Sequence, residues 1–141
     1  MTRLVAFAHA LADETRWRII QLVFDEPMCV CELADILQMP PSSVSSHLQV
    51  IKKSGMLDSE KCEKWIYYRL ARTHRPLVKA MAQFFETSPA SSPVLKIDAK
   101  RAVARLAGRH KTCCPPPRAL VRRKPLPAKN QTPFSTKQKT A

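Results

Sequence analysis

Apolar residues recur at helical spacing along most of the first half of the chain. Trp17, Ile20, Val23 and Phe24 lie on one stripe behind Asp13, a good N-cap residue. Pro27 marks a break, and a short helix carrying Leu33, Ile36 and Leu37 is expected after it. Pro40-Pro41 interrupts again, and Pro41 suits the first turn of the next helix. That helix carries Val44, Leu48 and Ile51 and ends near Gly55. Between its apolar positions lie Ser42, Ser43, Ser45, Ser46, His47, Gln49, Lys52 and Lys53, so one face packs and the other offers polar donors.

From Met56 the period changes. Trp65-Ile66-Tyr67-Tyr68-Arg69-Leu70 is aromatic and β-branched, which predicts a strand. Asp58-Ser59-Glu60-Lys61 is the candidate hairpin partner, with the tip around Cys62-Glu63. A helix over 73–85 places Leu77, Val78, Met81, Phe84 and Phe85 on one stripe. Pro89-Ala90-Ser91-Ser92-Pro93 reads as a connector, and a further short helix is expected from Asp98, as N-cap, to Ala107.

Residues 115–141 differ in character. They hold six of the twelve prolines, seven basic residues and no acid, the composition of a disordered basic tail. The expected organisation is a folded domain over 1–88, a connector with a short helix ending in a cysteine pair over 89–114, and the tail over 115–141.

Charge narrows the function. The 141 residues carry a net charge of +13, and the tail's seven basic residues leave +6 on residues 1–114. Such a chain fits a polyanionic partner, nucleic acid ahead of a membrane surface. No apolar run approaches the ~18 residues of a membrane span. The stretch Leu4–Ala12 faintly imitates a signal peptide, but it is short, is interrupted by His9 and runs straight into Asp13-Glu14, so it reads as an amphipathic helix. Only two glycines are present, which argues against Gly-rich phosphate loops. Neither paired carboxylates nor a nucleophile triad stands out, so an enzyme is the weakest reading.

Two short helices, a tight turn and a β-hairpin make a winged helix-turn-helix, mainly α with a β-hairpin wing. The second helix would enter the major groove with Ser42, Ser43, Ser45, Ser46, His47, Gln49 and Lys52. Lys61 and Lys64 of the wing would meet phosphates. Such modules usually bind double-stranded DNA as homodimers, and residues 4–12 and 73–86 are the candidate dimer material.

The segments Leu11–Ile20, Cys29-Val30-Cys31-Glu32-Leu33-Ala34, Val44-Ser45-Ser46-His47-Leu48 and Lys64–Leu70 together resemble the arsenic-repressor (ArsR/SmtB) family, over roughly residues 3–114. The resemblance implies a cytoplasmic homodimer that represses a metal-resistance operon and leaves its operator DNA when an ion binds. It also points to the cysteines. Cys29 and Cys31 start the first helix of the motif, where the helix dipole favours thiolates. At i and i+2 they converge only if Cys29 lies outside regular helix.

In the arsenic-sensing members a third cysteine follows one turn later, and here Ala34 stands there. Cys113 and Cys114 are the candidates to complete the set. Three sulfurs suit As(III) or Sb(III) as inducer; four suit Cd(II), Pb(II) or Zn(II). The preferred reading is As(III)/Sb(III), on the likeness of Arg105-Leu106-Ala107 and the following cysteine pair to arsenic-type C-termini. A thiol-redox trigger, through a disulfide of the Cys29–Cys113 kind, is a further alternative. Cys62, at the wing tip, is expected to lie far from the other sulfurs. The family's zinc site on the last long helix is absent, since 73–86 offer only His74 and Glu86.

Overall fold

A computed structural model describes residues 2–109, so Cys113, Cys114 and the whole 115–141 tail lie outside the described residues. The chain order is α1 (Thr2–Leu11), α2 (Glu14–Leu22), β1 (Met28–Cys29), α3 (Val30–Leu37), α4 (Pro41–Lys53), β2 (Leu57–Cys62), β3 (Trp65–Leu70), a 3₁₀ turn (Arg72–His74), α5 (Arg75–Phe84) and α6 (Pro93–Ala107).

Local chemistry sets the helix ends. Asp13 caps α2 by accepting from the Arg16 N–H at 2.9 Å. Arg16 in turn closes α1, donating from Nε to the Ala10 carbonyl and from Nη2 to that of His9, at 2.9 and 2.8 Å. These are carbonyls left over at a helix C-terminus, which is why a guanidinium sits here with only 9% exposure. Pro41 opens α4 with its fixed φ. Between α3 and α4 the chain turns at Gln38, left-handed at φ 54°. Gly55, at φ +80°, takes the turn after α4, where a side chain would be strained.

The core joins Ile19, Ile20 and Val23 of α2 and its end, Leu33 and Ile36 of α3, Val44, Leu48 and Ile51 of α4, Met56, Tyr68, Leu70 and Val78. Every apolar position assigned to the interior of α3 and α4 from its spacing is buried. The sheet has the order β1-β3-β2, all antiparallel. β2 and β3 form the expected hairpin, with Cys62 opposite Trp65 and a two-residue turn at Glu63-Lys64. Glu63 holds φ 55° there, the left-handed conformation that glycine takes more readily.

Two expectations need correction. The last helix begins at Pro93, so Asp98 is an interior residue and not its N-cap. Asp98 is buried and spends its carboxylate on Arg18 of α2 instead of on backbone N–H groups at a helix start. In addition, α6 packs on α2 and α3, and its Ala102 and Leu106 belong to the same core as the helix-turn-helix.

Candidate functional site: a polar helix, a wing and a cysteine-bearing helix start

The polar face of α4 is as the spacing predicts. Ser42, Ser46, Gln49 and Lys52 are exposed, while Ser43, Ser45 and His47 are half-buried. The Ser46 hydroxyl donates back to the Ser42 carbonyl at 3.1 Å, a local bond that any new partner must compete with. His47 Nδ1 lies 3.8 Å from Asp13 Oδ1, so this imidazole leans on the cap of α2. On the wing, Lys61 and Lys64 are both exposed, and the Lys64 ammonium sits 4.8 Å from the centre of the Trp65 ring. The wing thus presents two exposed lysines, one of them, Lys64, over an aromatic ring.

The cysteines occupy two unlike environments. Cys29 is the N-cap of α3, with extended backbone at φ −90° and ψ 170°. It lies outside the regular helix, the condition its spacing from Cys31 required. Its N–H donates to Glu32 Oε1 at 3.2 Å, which closes a capping box. Cys29 is 1% exposed, whereas Cys31 is exposed. Ala34, in the place of the third cysteine of the arsenic-type pattern, packs into the core.

Cys62 is closer to this region than its place at the wing tip implied. β3 lies between β1 and β2, with Tyr67 opposite both Cys29 and Glu60. Cys62 and Trp65 pack against the Cys29–Tyr67 cluster as a result. Among the described residues no three His, Cys, Asp or Glu side chains gather as a metal cluster.

Sequence reasoning missed what surrounds Cys29. Glu32 is fully buried and paired with Arg109, just past the Gly108 cap of α6. Arg109 Nε donates to Glu32 Oε2 at 2.9 Å, and Nη2 donates to Glu32 Oε1 at 3.1 Å and to the Pro27 carbonyl at 2.7 Å. The same guanidinium stands 5.8 Å from the centre of the Tyr67 ring. Further back on α6, Arg105 pairs with Asp35 at 2.8 Å and Arg101 reaches the Ile36 carbonyl at 3.4 Å. Arg101 and Arg105 share one face of α6 and Arg109 follows just past its end, so α6 is fastened along α3 by a row of arginines. The one available signal was that i, i+4, i+8 spacing.

These features define a winged helix-turn-helix with a cysteine-bearing helix leading into the polar one. Residues 13–59 match the model of the bacterial regulatory protein, arsR family. The chain is 40% identical over 63 residues to the cadmium resistance transcriptional regulatory protein CadC of Listeria innocua, covering 44% of this chain and 53% of that one. It is 40% identical over 62 residues to the arsenical resistance operon repressor of Escherichia coli, covering 43% and 53%. It is 37% identical over 60 residues to an uncharacterized HTH-type transcriptional regulator of Methanocaldococcus jannaschii, covering 42% and 67%.

A solved homodimeric winged helix-turn-helix domain from Mycobacterium bovis superimposes with a TM-score of 0.54 at 24% identity, covering 60% of this chain and 79% of that one. That likeness supports the fold. The chain belongs to the arsR family of bacterial regulatory proteins, a family of regulators and not of enzymes. The match spans about half the length of the first two relatives. No helix among the described residues is long and apolar enough to cross a membrane.

Proposed function

We propose that this chain is a metalloid-responsive transcriptional repressor that binds double-stranded operator DNA as a homodimer. In this reading Ser42, Ser43, Ser45, Ser46, His47, Gln49 and Lys52 of α4 face the major groove, and Lys61 and Lys64 hold the backbone. Release follows when As(III) or Sb(III) is taken by thiolates of Cys29 and Cys31 with Cys113 and Cys114. Arsenous acid suits this chemistry: three thiols displace its three hydroxyls and three waters leave.

The observation that carries the reading is the position of Arg109. It is seated on Glu32 and Pro27 at the start of α3, and Cys113 follows four residues later. Four residues reach about 14 Å at most, a chain length that permits Cys113 to approach the start of α3. Coupling to DNA then runs through α3, which packs directly on α4.

The presence of two cysteine pairs, with Ala34 in the third arsenic-type position, favours a second reading: a four-thiolate site for Cd(II), Pb(II) or Zn(II). The cadmium-resistance relative, as similar as the arsenical one, agrees with it. The deciding experiment is fluorescence anisotropy on DNA from the chain's own upstream region, in reducing buffer. Arsenite, antimonite, cadmium and zinc are titrated separately. Release by near-stoichiometric arsenite or antimonite is the expected result. Release by cadmium or zinc alone transfers the answer to the four-thiolate site. Tight binding that none of these ions disturbs refutes the metalloid, cadmium and zinc readings and leaves a repressor whose trigger is thiol redox or another signal.

A further inference from the structure

In the sensor reading above the inducer takes the Cys29 sulfur, and Cys29 is 1% exposed. Cys62 and Trp65 of the wing pack on the Cys29–Tyr67 cluster, and a second set of groups surrounds it from α3 and α6. Tyr67, opposite Cys29 in the sheet, is itself fully buried, and the Arg109 guanidinium stands over its ring. Arg109 arrives from α6, whose row of arginines runs down α3 to this point. Glu32 completes the arrangement from within α3. One carboxylate oxygen receives both the Cys29 N–H and Arg109 Nη2, and the other receives Arg109 Nε. The cap that fixes the Cys29 backbone and the clamp that fixes the end of α6 are therefore the same carboxylate.

We propose that Glu32 and Arg109 form a latch that closes the C-terminal end of α6 over Cys29, and that opening it admits the inducer to the buried sulfur. The proposal rests on the sensor reading above and adds two positioning residues to it.

Its physics is that of a buried ion pair. Such a pair adds little net stability, because desolvation offsets most of the attraction, but separating the partners inside the protein strands a charge. A half-open latch is therefore disfavoured. It is closed, with both charges satisfied by each other, or open, with both in water. An inducer that binds only the open form shifts the population by its preference for that form. Because α6 ends at the latch, release of Arg109 and movement of the end of α6 are one event. α3 is gripped by α6 and packs on α4, so the same event bears on the DNA-facing helix.

The test reads the latch without any inducer. The full-length, metal-free, reduced protein is treated with N-ethylmaleimide and the labelling rate of each cysteine is followed by peptide mass spectrometry. Wild type should label Cys31 fast and Cys29 slowly. The double variant Glu32→Gln/Arg109→Gln keeps hydrogen-bonding groups while removing both charges, and should label Cys29 at least about tenfold faster, with Cys31 and Cys62 within about twofold of wild type. Arg109→Lys, which keeps the charge but not the forked guanidinium, should fall between and shows the effect in a milder background.

Equal Cys29 rates in wild type and in both variants overturn the latch. Parallel acceleration of Cys29, Cys31 and Cys62 also overturns it, because that is the signature of a purely structural pair. Operator release is then titrated with arsenite and with cadmium for each protein. The latch predicts a lower half-release concentration for the double variant. Should no ion release wild type, the sensor reading fails on its own, and the labelling rates still decide the latch.

Discussion

Arg18 grips both carboxylate oxygens of Asp98, Nε to Oδ2 at 2.7 Å and Nη2 to Oδ1 at 2.9 Å, and so ties α2 to α6 across 80 positions of sequence. The hydrogen bond to Asp98, opposed in part by burial, raises the Arg18 pKa above its ordinary value. Asp98 is 1% exposed, so the pair stands partly out of water. Removing the carboxylate leaves a guanidinium half-enclosed by α6. Asp98→Ala should therefore destabilise the protein by roughly 2–3 kcal/mol, less than for a fully buried pair, since the Arg18 side chain retains 22% exposure. Urea unfolding checks this, and Asp98→Asn should recover a large part of the loss. A loss below about 0.5 kcal/mol for Asp98→Ala would show that α6 is not held by this pair.

The same residue shows where the sequence was legible and where it was not. Short-range chemistry read correctly: the Asp13 cap, Pro41 at the start of α4, the stripe of Val44, Leu48 and Ile51, and the hairpin at Trp65–Leu70. Each depends on neighbours within a few positions. Asp98 looked like a cap because an acid before an apolar stretch often is one, and nothing local reveals a partner 80 residues upstream. Glu32 and Arg109 failed for the same reason, since charged residues on a helix are ordinarily solvated. β1 is two residues long, too short to carry a period, and its pairing is what puts Cys29 beside Tyr67 and within one cluster of Cys62.

Asp13 gives a prediction in pH. Its pKa is lowered from 3.8, chiefly by the Arg16 N–H it accepts, with the nearby Arg16 and His47 charges adding to the effect. A carboxylate with a depressed folded-state pKa contributes stability above its unfolded value, and that contribution is lost as pH falls through the folded one. Asp13→Ala should therefore cost about 1 kcal/mol at pH 7, the usual worth of a helix cap. The gap between wild type and variant should narrow below the 3.8 of an ordinary aspartate. Denaturant unfolding of both proteins at pH 7 and near pH 3 measures it. An equal gap at both values would mean that the charged form of Asp13 contributes nothing.

The dimer required by the proposed function has candidate surface on α1 and α5. Phe84 is 81% exposed, Phe85 66%, Leu4 63% and Val5 60%, an apolar surface that a monomer would leave in water. Phe7 of α1 stacks on His74 at 6.0 Å, which sets α1 beside the start of α5. A groove of about 430 Å³ lined by Leu11, Trp17, Met81, Phe85 and Thr87 lies between these elements. Placing charge on this surface should split the dimer without harming the fold, because neither Leu77 nor Phe84 belongs to the core. Leu77→Glu/Phe84→Glu should sediment as a 16.0 kDa monomer at concentrations where wild type sediments at twice that mass. Far-ultraviolet circular dichroism should stay unchanged, and operator affinity should fall by at least tenfold as the second half-site contact is lost. A wild type that sediments as a monomer at micromolar concentration would remove the homodimer from the proposed function, and a variant that remains dimeric would move the interface away from α5.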